Sequence, residues 1–371
     1  MSPETYAHVS NLLIPTATVI YTLAMVSHAM EWALGRTAVA RKATPAEQEQ
    51  AAAGKQSQVL VGAAGAAVSS TTPASTSAAS STSADSGTVG ARSATSASGA
   101  GSSTGGPGSG AGGAGSTERL DAASRIGLLL TWMGFVFHLG GVVTRGLAAG
   151  RVPWGNMYEF SITASLAVAI VYLIFVQRYK LQWLGLGVTL VVASVLGLAT
   201  LALYTPAGPL VPALHSYWLV LHVSAAATSG GGFTVGGLIS VLYLLKSRAE
   251  RRVLEGGTMS AALRRLPSAE SMDGTAYKVL AFSFPLWTFA VLVAGPIWAE
   301  YAWGRYWGWD PKEVWSLVTW VVYAAYLHAR ATAGWRGRRA ATIAIVGWFV
   351  FLFNFVGVNL LVSGLHSYAG V

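Results

Sequence analysis

The chain has 371 residues, 53% of them hydrophobic and only 11% charged, and its formal net charge is +9. Soluble globular domains carry about 25% charged residues, so this composition excludes an ordinary soluble protein. The sequence contains no cysteine, which excludes disulfides and a cysteine nucleophile, and no basic stripe is interleaved with aromatic residues, which argues against nucleic-acid binding.

The apolar residues are gathered into eight runs of about 20 residues, the length that crosses a hydrocarbon core. The first run is too long for a removed signal peptide and lacks a basic n-region, so we retain it as a helix. The pattern predicts an all-α polytopic membrane protein with about eight transmembrane helices. The runs lie near residues 9–34, 124–144, 157–177, 183–204, 216–245, 277–299, 314–333 and 340–363.

The basic residues predict the orientation of these helices in the cytoplasmic membrane. With the N-terminus outside, all but four of the 24 Lys and Arg residues fall on the inner side. The exceptions are Arg145, Arg151, Arg305 and Lys312. The basic residues of the short loops alone indicate the same orientation, because basic residues favour the cytoplasmic side. Both termini are therefore predicted outside, and the positive charge is mainly a topology signal.

A stretch of different composition separates the first two runs. Residues 36–118 consist mainly of Ala, Ser, Thr and Gly, with almost no aromatic or branched residues. Such a segment cannot bury enough apolar area to offset the conformational entropy lost on folding. We therefore expect a disordered cytoplasmic insertion between a first transmembrane helix in residues 1–35 and a seven-helix membrane domain in residues 119–371.

The sixth and seventh runs are joined by residues 298–315, here called the aromatic segment. Within it, residues 310–313 read Asp-Pro-Lys-Glu. This order matches a helix start with Asp at the N-cap, Pro at the first position and Glu at the third. Capping is therefore the favoured role of Asp310, and a catalytic acid is the alternative.

The aromatic segment holds more tryptophans than a membrane interface requires. Trp298, Trp303, Trp307, Trp309 and Trp315 fall within it, whereas an interfacial aromatic belt needs only one or two such residues per helix end. Aromatic faces also offer a stacking surface to a planar ligand. Two interpretations therefore stay open, a belt combined with packing and a platform for a large flat ligand.

Histidines on the same predicted side suggest which ligand this would be. His222 lies near the outer end of the fifth run, and His366 follows the eighth. Two imidazoles beside an aromatic surface suit axial ligation of a haem iron, with a structural role as the alternative for each. His215 competes with His222, but about 10 Å of helix rise separates them, so only one can ligate a given iron. Asn359 and Ser363 share a helix face with His366 and are predicted to orient it.

Several motifs together resemble a known family. The stretch "WGRYWGWDPKEVWSLVTWVVYAAYLHAR" looks like the tryptophan-rich WWD signature of haem-handling proteins in cytochrome c maturation. The motifs "GRVPWGNMYEF", "LVPALHSYWLVLHV" and "GLHSYAG" are similar to those of the CcsA/ResC type of the Ccs pathway. The resemblance covers most of residues 124–371 in order.

The resemblance implies a protein that binds haem b transiently, carries it across the cytoplasmic membrane and presents it outside for attachment to apocytochrome c at a C-x-x-C-H site. A ResB-type membrane partner would complete this cytochrome c synthase complex, although the resemblance does not identify which component is the catalyst. Another protein would reduce the substrate thiols. His222 and His366 would ligate an outer haem, and His328 an inner one. The haem platform would consist of Trp303, Gly304, Trp307, Trp309 and Asp310.

Further residues are candidates for haem contacts. Arg305 and Lys312 lie in the aromatic segment, and we expect one or both to contact a propionate, with interfacial charge as the alternative. His28 lies near the inner end of the first run, at a depth similar to that of His328. We hypothesise that these two hold the inner haem, with snorkelling at the interface as the alternative for His28. His138 is predicted to make a helix–helix hydrogen bond.

Two functions from other classes also stay open. A membrane b-type cytochrome would keep its haem permanently, and an unrelated solute transporter would need none. No inverted repeat is visible, which counts slightly against a transporter. Gly230, Gly231, Gly232, Gly236 and Gly237 suit close helix packing or a gate, and packing is favoured.

Overall fold

The computed structural model describes residues 1–41, 111–208 and 214–366. These residues form helices and no β-strand, which confirms the all-α prediction. Most of the insertion predicted to be disordered, residues 42–110, lies outside the described residues. The helices are α1 Pro3–Arg41, α2 Ala111–Ala149, α3 Met157–Tyr179, α4 Gly185–Ala202, α5 Tyr217–Leu254, α6 Ala261–Arg265, α7 Ala269–Phe289, α8 Gly295–Trp303, α9 Pro311–Thr332, α10 Arg338–Leu352 and α11 Val358–Leu361.

Among the described residues, seven stretches of helix are long and apolar enough to cross a membrane. The remaining predicted span, residues 314–333, forms α9, whose composition is less apolar than theirs. α9 has 22 residues, and a helix of that length is about 33 Å long, enough to cross a hydrocarbon core. It packs along α10 and α7, so its length and packing support an eighth span. The chain is a multi-pass membrane protein.

α1 and α2 approach each other closely because glycines of α2 face large side chains of α1. Gly127 and Gly141 lie against His28 and Ile14, respectively. A Cβ atom at Gly127 would lie 2.7 Å from the His28 ring, and one at Gly141 would lie 2.5 Å from Ile14. Small residues allow such close packing of membrane helices. His28 is consequently buried in this seam.

α5 packs against α3, α7 and α10 at once. Its glycines make this possible. A Cβ atom at Gly231 would lie 2.8 Å from the backbone oxygen of Ala167 on α3, and one at Gly237 would lie 2.5 Å from the Trp348 ring on α10. The predicted packing role of the glycine group is confirmed at these positions.

Two π-helical turns interrupt the long helices. One spans Ala290–Ala294, between α7 and α8, and the other spans Phe353–Gly357, between α10 and α11. A π-helical turn inserts one residue into a helix and changes which carbonyl groups its amides reach, and such turns are frequent at functional sites. Residues of both turns line the cavity that forms the candidate site.

Candidate functional site

A cavity of about 480 Å³ lies among α3, α4, α5, α8, α9 and α10. Its volume falls within the range of cofactor and small-molecule sites, about 300–1,000 Å³. The lining is largely apolar and comes from residues far apart in the sequence. It includes five residues that the sequence analysis predicts to contact haem, namely His222, Trp303, Trp307, Lys312 and His366.

The two histidines of this set lie against one tryptophan. His222 of α5 stacks on Trp298 of α8, with 5.7 Å between ring centroids and 19° between ring planes. His366 meets the same indole edge-on at 5.7 Å, and Trp303 lies 5.0 Å from the His366 ring. The fold therefore brings His222 and His366 to the same end of the cavity. His215 is exposed and does not line it.

The first π-helical turn orients His222. Nδ1 of this histidine lies 2.8 Å from the carbonyl oxygen of Ala290. A carbonyl oxygen only accepts, so Nδ1 carries the hydrogen and Nε2 carries the lone pair. Gly295 permits this contact, because a Cβ atom there would lie 3.1 Å from Nδ1 of His222 and 2.9 Å from the Ala290 oxygen.

Asp310 orients His366 in the same way. Its Oδ2 accepts from Nδ1 of His366 at 2.8 Å, and its Oδ1 accepts from the backbone N–H of Leu365 at 2.6 Å. Burial favours the neutral carboxyl, but the hydrogen bonds from His366 and from the backbone hold the pKa of Asp310 below its ordinary value. An ionised Asp310 only accepts, so His366 also carries its hydrogen on Nδ1.

The predicted helical network around His366 is wrong. α11 ends at Leu361, and Val362 is extended with φ −127° and ψ 122°. His366 therefore lies in a turn beyond the helix and cannot share a helix face with Asn359. The side-chain amide of Asn359 instead donates to the carbonyl oxygen of Phe355.

The predicted start of α9 at Asp310 is confirmed. Oδ2 of Asp310 accepts from the backbone N–H of Lys312 at 3.1 Å, while Oε2 of Glu313 accepts from the backbone N–H groups of Asp310 and Gly308. These contacts form the capping box. One carboxylate therefore both caps α9 and holds His366.

Gly364 allows the turn at residues 364–366 to approach Asp310. A Cβ atom at Gly364 would lie 2.6 Å from Oδ1 of Asp310. We expect Gly364→Ala to destabilise the protein by about 1–3 kcal/mol, because the turn must move away from the carboxylate. Thermal unfolding in detergent measures this loss. Gly197→Ala is the control, since nothing lies within 4 Å of a Cβ atom there. Equal losses of stability in the two variants would contradict a close contact between Gly364 and Asp310.

Polar side chains are also part of the cavity lining. Nζ of Lys312 donates to the carbonyl oxygen of Asn354, in the second π-helical turn, at 2.7 Å. Within the described part of the chain, Nε1 of Trp307 and Oδ1 of Asn354 are buried and have no hydrogen-bond partner. Buried polar atoms are normally satisfied by protein, water or ligand. All three residues line the cavity.

Other residues that were predicted to contact haem, in the platform or at a propionate, lie outside the cavity lining. Trp309 is 70% exposed and adopts a left-handed conformation with φ 59°. Gly304 ends α8 with φ 70°, and the Arg305 guanidinium folds over Gly308. These residues shape the loop between α8 and α9, whereas Trp303 and Trp307 face the cavity.

The fold does not bring His28 and His328 together at the cavity. The His28 ring packs on Gly185 at the start of α4, with Nε2 3.5 Å from Oγ1 of Thr131 and Nδ1 3.8 Å from Glu31. His328 is exposed on α9. The hypothesis that these two histidines share an inner haem gains no support from this arrangement.

His138 has the role that the sequence predicts. Its Nε2 lies 2.8 Å from the carbonyl oxygen of Ile162, which joins α2 to α3. This contact confirms the predicted helix–helix hydrogen bond.

Sequence reasoning missed a buried ion network beside the cavity. Glu159 is fully buried and accepts from Nε of Arg145 at 2.9 Å and from Nη1 of Arg151 at 2.7 Å. The network holds the loop between α2 and α3, and Met157 and Phe160, which follow that loop, line the cavity. The signal was present as two arginines and a glutamate at apolar helix ends, but the arginines were assigned only to topology.

Comparison with known proteins identifies the family. The sequence model of the family described as Cytochrome C assembly protein matches residues 154–366. This range is more than half of the chain and contains every residue that lines the cavity. The chain belongs to the cytochrome c assembly protein family.

Relatives named "Cytochrome c biogenesis protein CcsA" place it more closely. The protein from Microcystis aeruginosa is 37% identical over 267 residues, which is 60% of this chain and 81% of that protein. The protein from Porphyra purpurea is 34% identical over 284 residues, which is 67% of this chain and 89% of that protein. The chain is of the CcsA type, which gives it a general role in cytochrome c biogenesis.

The donor atoms of this CcsA-type cavity limit the metal chemistry that it can support. Among the described residues, no three His, Cys, Asp or Glu side chains converge as a metal site. His222 and His366 offer two imidazole nitrogens, which is too few for a structural zinc ion, normally held by four protein ligands. Two is the number of axial ligands that a haem iron takes.

Proposed function

We propose that this CcsA-type chain binds haem b in the cavity and presents it at the outer face of the cytoplasmic membrane for covalent attachment to apocytochrome c. One observation carries the proposal. His222 and His366 each direct Nδ1 to a protein oxygen, so the neutral form of each imidazole carries its lone pair on Nε2. An imidazole held in this tautomer by a second residue is oriented for metal ligation.

The remaining lining suits a planar ligand with an anionic edge. Trp298, Trp303 and Trp307 offer aromatic faces and edges. Lys312 supplies an amine within the lining, and an anionic propionate beside it would favour its charged form, so we assign it, rather than Arg305, to a haem propionate. Nε1 of Trp307 supplies a further donor that has no protein partner among the described residues.

In this proposal the chain contributes ligation, orientation and exclusion of water. Haem supplies the vinyl groups that become thioethers when the substrate cysteines add to them. The histidine of the substrate's C-x-x-C-H site would need one of the two positions that His222 and His366 would hold. We assign the displaced position to His366, because a turn carries it, whereas His222 sits on the long helix α5.

The chain has no cysteine, so another protein must keep the substrate thiols reduced. A ResB-type membrane partner is the proposed second component of the complex. Transport of haem across the membrane by this chain is part of the same proposal, although the cavity itself accounts only for the outer site.

Purification of the protein, alone and with its ResB-type partner, tests the proposal. We expect the purified protein to contain haem with a bis-histidine spectrum. When reduced apocytochrome c is added, this spectrum should disappear and the haem should become covalently attached to the apocytochrome. An apocytochrome with both C-x-x-C-H cysteines changed to serine is the control and should acquire no covalent haem. Haem that reduced apocytochrome cannot remove would support a b-type cytochrome instead. Absence of haem from both preparations would refute the proposal.

A further inference from the structure

Four side chains both line the cavity and are exposed. We take them to mark its openings. One is Tyr306, 61% exposed, in the loop between α8 and α9. Three others are Leu198 of α4, Val356 of the second π-helical turn and Leu360 of α11, which are 53%, 39% and 42% exposed. We call the first the loop opening and the second group the lateral opening.

The lateral opening lies on helices that can span the membrane. Leu198 belongs to the span Leu181–Ala202, and Val356 and Leu360 belong to the span Arg338–Leu361. Exposed aliphatic side chains on a spanning helix contact lipid tails, which are as apolar as leucine. α4 packs along α3, and α10 packs along α5 and α9. Both helices contribute residues to the cavity lining.

The opening also lies near the ligating end of the cavity. Leu198 is four residues from the end of α4, and Leu360 is one residue from the end of α11, which corresponds to about 6 Å and about 2 Å of helix rise. His366 follows α11 within five residues. A molecule that enters here meets the histidine end of the cavity directly.

An apolar wall leads inward from the lateral opening. Val191, Val195 and Leu198 lie on one face of α4 and line the cavity, and Leu352 lines it from α10. The hydrogen-bonding groups of Trp307 and Lys312 lie elsewhere in the lining. The passage therefore suits a molecule whose body is apolar and whose edge is polar.

We infer that the ligand enters the cavity sideways from the bilayer, through the lateral opening, and meets its water-soluble partner through the loop opening. The ligand class is a planar amphiphile that dissolves in membranes and carries an anionic edge. This inference rests on the proposed function, since haem is such a molecule. The inference assigns entry of the ligand to the lateral opening and its delivery to the partner to the loop opening.

Single-cysteine variants test the two routes cleanly, because the chain has no cysteine of its own. Leu198→Cys probes the lateral opening and Tyr306→Cys the loop opening. Leu201→Cys is the control, since Leu201 is 88% exposed on the same helix and does not line the cavity. Each variant is placed in liposomes with its partner, labelled with a bulky maleimide, and supplied with haemin dissolved in the membrane.

The label at residue 198 is expected to slow haemin uptake about tenfold, equivalent to about 1.4 kcal/mol in the barrier. The label at residue 306 should slow transfer to apocytochrome c by a larger factor than it slows uptake. The label at residue 201 should affect neither. Equal uptake rates with labels at residues 198 and 201 would overturn the lateral route.

A second measurement does not depend on haem. A nitroxide at residue 198 should collide more often with dissolved oxygen than with a water-soluble nickel chelate, and a nitroxide at residue 306 should show the reverse. Preferential access of the nickel chelate to residue 198 would overturn the lateral opening. Failure of the unlabelled protein to bind haemin, with the nitroxide result as expected, would instead refute haem as the ligand.

Discussion

Alanine substitution of either cavity histidine is expected to abolish the bis-histidine haem spectrum, with a different residual state in each case. His222→Ala removes the proposed ligand that is carried by the long helix α5 and held by the Ala290 carbonyl. His366→Ala removes the proposed ligand that is carried by the turn. We expect the purified His222→Ala protein to lose most of its haem and His366→Ala to keep more of it in a five-coordinate state, because a helix fixes its side chain more firmly than a turn does.

Oxidised and reduced spectra, with the haem-to-protein ratio, measure both outcomes. His215→Ala is the matched control, because His215 is close in sequence to His222 but exposed and away from the cavity lining. It should keep the spectrum and haem content of the wild type. Imidazole in solution should restore six-coordination to His366→Ala through the loop opening. Spectra unchanged in both His222→Ala and His366→Ala would exclude these residues as ligands.

The features that the sequence predicts correctly are those encoded locally. Each transmembrane helix is visible as an apolar run, and the capping box occupies four consecutive residues. α9 is also visible as an apolar run, but its run is less apolar than those of the other spans. Its polar and aromatic residues lower its hydropathy because one side packs against α7 and α10 and another lines the cavity. A scale built on lipid exposure underestimates such a helix, although its length marks it as a span.

The features that sequence reasoning misses depend on residues brought together only by the fold. Asp310 and His366 are 56 residues apart, and the capping motif already gave Asp310 a sufficient role. The π-helical turns have no local signature, yet one of them supplies the carbonyl that orients His222. Helical periodicity was extended past Leu361, where the chain has already left the helix, and this produced the wrong network around His366.

The positions of Trp309 and Arg305 show a further limit of prediction from the sequence. A dense group of tryptophans predicts an aromatic surface, but the left-handed conformation of Trp309 turns this residue outward while Trp307 faces the cavity. Residue spacing within an irregular loop carries no fixed direction, in contrast to spacing on a helix. The division of the signature into cavity-lining and exposed members therefore required the structure.

Asp310→Asn is expected to weaken haem binding about 10–100-fold while leaving α9 nearly as stable as before, by analogy with the loss of other residues that orient metal-ligating histidines. Asparagine caps helices about as well as aspartate. However, the carboxylate accepts three N–H groups, from Lys312, Leu365 and His366. The amide has one acceptor oxygen, and its NH₂ group must face at least one of these donors. His366 then loses the contact that holds its hydrogen on Nδ1.

Two further variants separate the cap from the histidine contact. Asp310→Ala should lose both, with an additional destabilisation of about 1 kcal/mol from the cap. Ser268→Ala removes the cap of α7, where the Ser268 hydroxyl accepts from the backbone N–H of Ser271, and should cost similar stability without changing haem affinity. Haem titration and thermal unfolding of all three variants give the two quantities independently. Wild-type haem affinity in Asp310→Asn would show that His366 does not need Asp310 to ligate iron, and the proposed site would then rest on His222 and the aromatic lining alone.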